Sequence, residues 1–219
     1  MNTKEHKIFE RFLNIDLKEL TNYLEIKYFQ ILENKLTEEN ELNDIVVHKY
    51  NENNNASARL NKKYNIFKFE NENIKTLYNE LMLCAKDACE YYDIDFDLMN
   101  YHVRGWFNRE IKTTSFPHDP ITNERLYHDH LGGHPAPDFH GYFCVNAEPS
   151  STYYKIDENT VYENINKNNR MILSENGRPH SRGIWNEDDF RITIAYDVVP
   201  FQRLVEQGAD KKPVWMPFK

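Results

Sequence analysis

The sequence predicts an α+β protein in which a helical first half buttresses a sandwich or barrel of short strands in the second. Two observations carry this. Apolar residues recur at a helical period in the first hundred positions, and at a period of two after residue 97. The later segments are also short, aromatic or β-branched, and broken by Pro, Gly and Asn. Helices followed by a run of strands form an α+β layer pattern. At 219 residues the chain can bury one full core but is short for two. A single domain is therefore expected, with residues 1–97 mainly helical support, 98–200 the strand core, and 201–219 a C-terminal extension.

The spacing of Leu17, Leu20, Leu24, Tyr28, Ile31 and Leu32 predicts an amphipathic helix over 16–36. The Asn-rich stretch 51–61 has little to bury and reads as a surface loop. The strongest helix is 73–92, where Ile74, Leu77, Tyr78, Leu81, Ala85, Ala88 and Tyr92 make one stripe opposite charged residues. Such a stripe packs against the outside of a sheet. Strands are expected at 101–111, 141–146, 151–156, 170–174 and 191–199. The tail, KKPVWMPFK, suits a terminal strand or a packing arm.

Aromatics make up 14% of the chain, which marks it as globular. The formal net charge of -8 opposes binding to duplex nucleic acid or anionic membrane. Cys84, Cys89 and Cys144 have neither zinc-ligand nor disulfide-framework spacing, and free thiols in a reducing compartment are expected. The start, MNTKEHKIFERF, lacks an apolar signal-peptide core, and no apolar run is long enough to span a bilayer. A cytoplasmic location is the expectation.

Five of nine histidines fall between positions 118 and 140: His118, His128, His130, His134 and His140. A sixth, His180, follows the turn ENGRPH. Imidazole is the commonest side-chain ligand for first-row metals. In Tyr127-His128-Asp129-His130, strand geometry sends His128 and His130 to one face and Asp129 to the other. Those two rings, joined by a third from a distant segment, could form a facial metal site with open positions. Hydrogen-bonded loop histidines are the alternative reading.

Eleven residues after His180 comes Arg191, in FRITIAYDVVP. Ile192, Ile194 and Tyr196 alternate there with Arg191, Thr193 and Ala195. If the first set packs on helices, the Arg191 face looks into the barrel. A buried guanidinium needs an anion, and its planar fork suits a carboxylate. Thr193 can donate a hydroxyl to the same oxygens. The alternative is an ordinary buried ion pair within the chain. Tyr142, Cys144 and Asn146 share parity on the strand HGYFCVN, where Tyr142 either faces the same pocket or simply fills core.

Over residues 101–200 the chain resembles the Fe(II)/2-oxoglutarate-dependent oxygenases, including prolyl hydroxylases and members from bacteriophages. The resemblance rests on His128-Asp129-His130, HGYFCVNAE, His180 and Arg191-Ile192-Thr193. It implies a double-stranded β-helix (jelly-roll) core buttressed by the N-terminal helices. It also implies bound Fe(II), 2-oxoglutarate as cosubstrate with O₂, and oxidation of a substrate, with release of succinate and CO₂. Arg191 and Thr193, with Tyr142 nearby, would hold the far carboxylate of 2-oxoglutarate.

The chain departs from the family pattern at one place, since His130 stands where a carboxylate is expected. Several ligand sets compete. Iron sits on His128, His130 and His180; or His130 is the proximal ligand and Gly132 vacates the carboxylate position, as in halogenases; or His134 ligates with Asp138 nearby; or Asp129 takes part. An imidazole in place of a carboxylate removes one negative charge from the iron shell and weakens binding. The substrate classes left open are a small molecule such as a free amino acid or metabolite, a protein side chain, and a modified nucleobase, the last disfavoured by the net charge. A cupin-like metal-binding protein without 2-oxoglutarate, or an inactive structural or partner-binding member of the fold, are the rival readings.

Overall fold

The structure is a computed structural model describing residues 7–32, 48–50, 55–57, 65–113, 115, 117–119, 121–130, 136–175, 178–212 and 214–219. In chain order the elements are β1 (Ile8–Phe12), α1 (Leu17–Leu32), β2 (His48–Tyr50), β3 (Asn55–Ser57), a 3₁₀ turn (Ile66–Lys68), α2 (Glu72–Tyr91), α3 (Phe96–Met99), β4 (Tyr101–Glu110), β5 (Phe139–Asn146), β6 (Ser151–Lys155), β7 (Val161–Ile165), β8 (Arg170–Glu175), β9 (His180–Arg182), β10 (Arg191–Pro200), α4 (Phe201–Glu206) and β11 (Met216–Pro217). Every strand pairing is antiparallel. A six-stranded sheet has the order β1-β8-β5-β10-β4-β11, and a three-stranded sheet the order β7-β6-β9.

The expected helix over 73–92 forms as α2. Asn71 caps its start by accepting a hydrogen bond from the Ile74 amide at 3.1 Å. Its buried stripe, Ile74, Leu77, Tyr78, Leu81, Cys84, Ala85, Ala88 and Cys89, packs on the large sheet. Truncating a core side chain such as Leu81 to alanine costs about 2–5 kcal/mol. Leu20, Leu24 and Tyr28 of α1 join the same core.

The parity expected for 191–199 places residues on the two faces of β10. Ile192, Ile194, Tyr196 and Val198 enter the helix-side core. Ala195 enters a second cluster with Tyr142, Cys144, Ile172 and Tyr154, the last from β6 of the small sheet. Gly141 lies beneath the Tyr196 ring, whose hydroxyl donates to the Ile172 carbonyl at 2.7 Å. A Cβ at Gly141 would come within 2.0 Å of that same carbonyl oxygen. A strand residue without a side chain is needed there.

Three expectations change. The first 97 residues also supply β1, an edge strand paired to β8. Its five residues, IFERF, are too few to show a clear period. Within the predicted loop 51–61, residues 55–57 pair with 48–50 as a short hairpin, while the rest of that stretch lies outside the described residues. Strands β7 and β9 were not foreseen: β7 carries exposed residues at most positions, and β9 is three residues long. The tail does end in a strand, β11, paired with β4. No described helix is long and apolar enough to cross a membrane.

Candidate metal and anion site

The inner face of the large sheet, turned toward the small one, is built in rows across β4, β10 and β5. Strand register sets Arg104 opposite Asp197 and Asp197 opposite His140. The next row is Trp106, Ala195 and Tyr142, and the next is Asn108, Thr193 and Cys144. Arg191 stands opposite Glu110 at the far end. One end of this face therefore carries an imidazole beside an Arg–Asp pair, and the other an Arg–Glu pair.

His180 on β9 pairs with His128 through two backbone hydrogen bonds, His128 N to His180 O at 3.0 Å and the reverse at 2.8 Å. Directly opposite residues share a face, and the two rings lie 4.3 Å apart. His130, two residues on, turns to the same side, 5.5 Å from the His180 ring. One ligand atom from each of His128, His130 and His180 lies within 4.8 Å of the others. A second group satisfying the same limit is His130, His140 and Asp197. Asp129 is exposed and belongs to neither group; His134 and Gly132 lie outside the described residues. Asp138, the carboxylate considered with His134, accepts from Tyr101 Oη at 2.8 Å and pairs with Arg203.

Ring orientation follows from the partners. His130 Nδ1 lies 2.8 Å from Asp197 Oδ1, and His140 Nδ1 lies 2.9 Å from the same oxygen. Arg104 donates to Oδ2 at 2.9 Å. His180 Nδ1 lies 3.2 Å from the Arg178 carbonyl. Burial pushes the His140 ring down to about 3, aided by the neighbouring His130 ring and opposed by Asp197. Burial and His130 likewise hold His180 down to about 4. Burial would raise Asp197, but hydrogen bonds from His130 and His140 and the charges of His130 and Arg104 hold it well below the usual carboxylate range. Neutral imidazole is the form a metal binds. Trp106, which packs against the core, also walls the cluster, with its ring 6.1 Å from His130 and 6.3 Å from His140.

At the other end, Arg191 and Thr193 are buried, 5% and 3% exposed. The Arg191 fork already holds a carboxylate from the chain itself. Nη1 donates to Glu110 Oε2 at 2.7 Å and Nε to Ser150 Oγ at 3.0 Å. Arg182 Nε reaches the other Glu110 oxygen at 3.1 Å. Thr193 Oγ1 accepts from Asn108 at 3.5 Å. The Tyr142 hydroxyl donates to Asn166 at 2.9 Å and accepts from Asn164 at 2.8 Å, so it locks the two sheets together. Burial lifts its phenol to about 12. A surface cleft of about 560 Å³ beside Trp185 is lined by Glu148, Glu187, Asp188 and Asp189, charges that disfavour an anion.

Asp197, His140 and Glu110 went unassigned in the sequence reading. Asp197 was within reach, because it shares parity with Arg191, Thr193 and Ala195. His140 likewise shares parity with Tyr142.

No protein-family model matches the chain, and no curated protein matches it. Solved structures do. A Trichoplax adhaerens prolyl hydroxylase, in complex with a hypoxia inducible factor peptide fragment, is 12% identical, with a TM-score of 0.50, over 94% of this chain and 88% of that one. A Shewanella oneidensis protein named as a candidate oxygenase is 11% identical, with a TM-score of 0.50, over 93% and 91%. A 2OG-Fe(II) oxygenase family oxidoreductase from Burkholderia pseudomallei is 11% identical, with a TM-score of 0.44, and the match spans 58% of each chain. The chain thus resembles oxygenases, a prolyl hydroxylase among them, in fold. That fold is a mixed α/β architecture of antiparallel sheets.

Proposed function

We propose that the protein is an Fe(II)- and 2-oxoglutarate-dependent oxygenase built on a double-stranded β-helix. The strand itinerary supports the architecture. From β4 to β10 the chain visits the large sheet, the small sheet at residue 128, the large at β5, the small at β6 and β7, the large at β8, the small at β9, and the large again at β10. Sheet-to-sheet alternation of this kind is a jelly-roll path.

The observation that carries the chemistry is the meeting of His128, His130 and His180 on the small-sheet side, with His130 reaching Asp197 on the large-sheet face that also carries Arg191. Three imidazoles suit a first-row divalent metal and leave positions open. His130 and His180 each have Nδ1 engaged, which frees Nε2 for the ion. In this reading Arg191 and Thr193 hold the far carboxylate of 2-oxoglutarate, and Glu110 marks the place it takes. Among Arg182, Arg191 and Glu110 the formal sum is one positive charge, which one cosubstrate carboxylate balances. Tyr142 acts as a structural wall rather than an anchor. Bound iron with 2-oxoglutarate and O₂ supplies the oxidation, leaving succinate and CO₂. The sheets position the reactants and exclude water. The peptide in the Trichoplax complex supports a protein side chain as the substrate class.

The Glu110–Arg191 pair also favours a second reading, a cupin-like metal-binding protein in which that pair is purely structural. One experiment separates them. Anaerobic addition of 2-oxoglutarate to the Fe(II)-loaded protein gives a weak visible charge-transfer band, and aerobic incubation gives succinate. Both are lost in Arg191→Ala. Absence of band and succinate in the unaltered protein favours the cupin-like reading.

A further inference from the structure

We propose that Asp197 is the positioning carboxylate of this metal centre, fixing the ring orientation of His130 and His140 and restoring, one bond further out, the negative charge missing from the three-histidine set. The inference rests on the metal reading above but adds a residue that reading does not contain.

Three observations carry it. Asp197 lies at the middle of a cross-strand row, with His140 opposite on one side and Arg104 on the other, and is 2% exposed. A carboxylate so buried persists only when its oxygens are satisfied. Oδ1 takes both imidazoles and Oδ2 takes Arg104. An ionised carboxylate has no proton to give, so both Nδ1 atoms must be the N–H donors. His130 and His140 are then held in one tautomer, each with the Nε2 lone pair free. This is the carboxylate–imidazole–metal relay that raises ligand basicity and fixes ring direction.

The arrangement also explains why the position two residues after His128 tolerates an imidazole. A carboxylate at 130 would face Asp197 across the distance His130 now spans, and two buried like charges there would repel. With His130 as an intermediary, the charge stays in the site but off the ion. Arg104 holds the arrangement from behind, its guanidinium stacked 5.2 Å from Trp106 and 5.1 Å from Trp215. His140, with its ring 3.7 Å from His130, is kept beside the centre by the same oxygen.

The test uses the full-length protein, Co(II) as the spectroscopic probe, and nitrogen-15 spectra of the histidine rings. In the metal-free protein, His130 and His140 show Nδ1–H tautomers. Asp197→Asn keeps the fold by circular dichroism, binds Co(II) 10- to 100-fold more weakly, and shows mixed tautomers. Binding within threefold of the unaltered protein, with unchanged tautomers, overturns the proposal and leaves the three-histidine reading intact. If Asp197→Asn does not fold, the ring spectrum of the unaltered protein decides, and Nε2–H on His130 overturns it. Co(II) binding that survives both His128→Ala and His180→Ala but not Asp197→Asn makes Asp197 a direct ligand, which overturns both readings.

Discussion

Replacing Glu110 by glutamine separates a cosubstrate anchor from a structural ion pair. Glu110 and Arg191 are 13% and 6% exposed at their side chains and meet at 2.7 Å, with Arg182 on the second oxygen at 3.1 Å. A charge-assisted hydrogen bond in such surroundings is worth about 1.5–3 kcal/mol. Glutamine keeps an acceptor oxygen but not the charge, so the variant loses about 2 kcal/mol, or roughly 4–8 °C in Tm for a chain of this size. The same 2 kcal/mol is what an incoming carboxylate must overcome to take the fork. An equilibrium held back by that amount lowers apparent affinity about 30-fold. Glu110→Gln is therefore less stable without 2-oxoglutarate and binds it about 30-fold more tightly. Thermal unfolding gives the first quantity, and anaerobic titration of the charge-transfer band gives the second. A variant that loses stability yet binds 2-oxoglutarate no better, or worse, refutes the reasoning, because Glu110 would not be occupying the cosubstrate's place.

Two further outcomes are expected. The metal-free protein loses stability on acidification, because His140 and His180 are held near 3 and 4 while an unfolded imidazole titrates near 6.5. Folded-state values below the unfolded one mean that stability is complete above about pH 6.5 and drains as the pH falls toward the folded values, by about 2 kcal/mol per ring at pH 5. Denaturation with chelator present at pH 7.5 and pH 5 checks this, and equal stabilities contradict it. Gly141→Ala drives a methyl group against the Ile172 carbonyl and the Tyr196 ring, at a cost of about 3 kcal/mol or more. A melting temperature within a degree or two of the unaltered protein would show that the strand can shift to admit it.

Much of the scaffold was legible because its signals are local. The stripe of α2 announces itself within twenty residues, and the alternation in FRITIAYD sorts β10 into a helix-facing and an inward-facing set. The edge strand β1 was illegible for the opposite reason: its partner β8 lies some 160 residues away, and only that pairing makes it a strand. The site divides in the same way. The convergence of His128 and His180 follows from a cross-strand pair between segments fifty residues apart, and the HDH spacing and His180's place before Arg191 hinted at it. Glu110 gave no hint, since a carboxylate at the end of a strand looks solvated until register sets it opposite Arg191. Asp197 sits among Ala, Tyr and Val, and only its parity with Arg191 betrays an inward charge.

The central claim is that a metal ion sits between the sheets on His128, His130 and His180. Anomalous diffraction from crystals grown with Co(II) tests it most directly. The account predicts one strong peak roughly 2 Å from a ring nitrogen of each of the three, with Asp197 bonded to His130 and not to the ion. A peak on an Asp197 oxygen, or no peak among these rings, contradicts it.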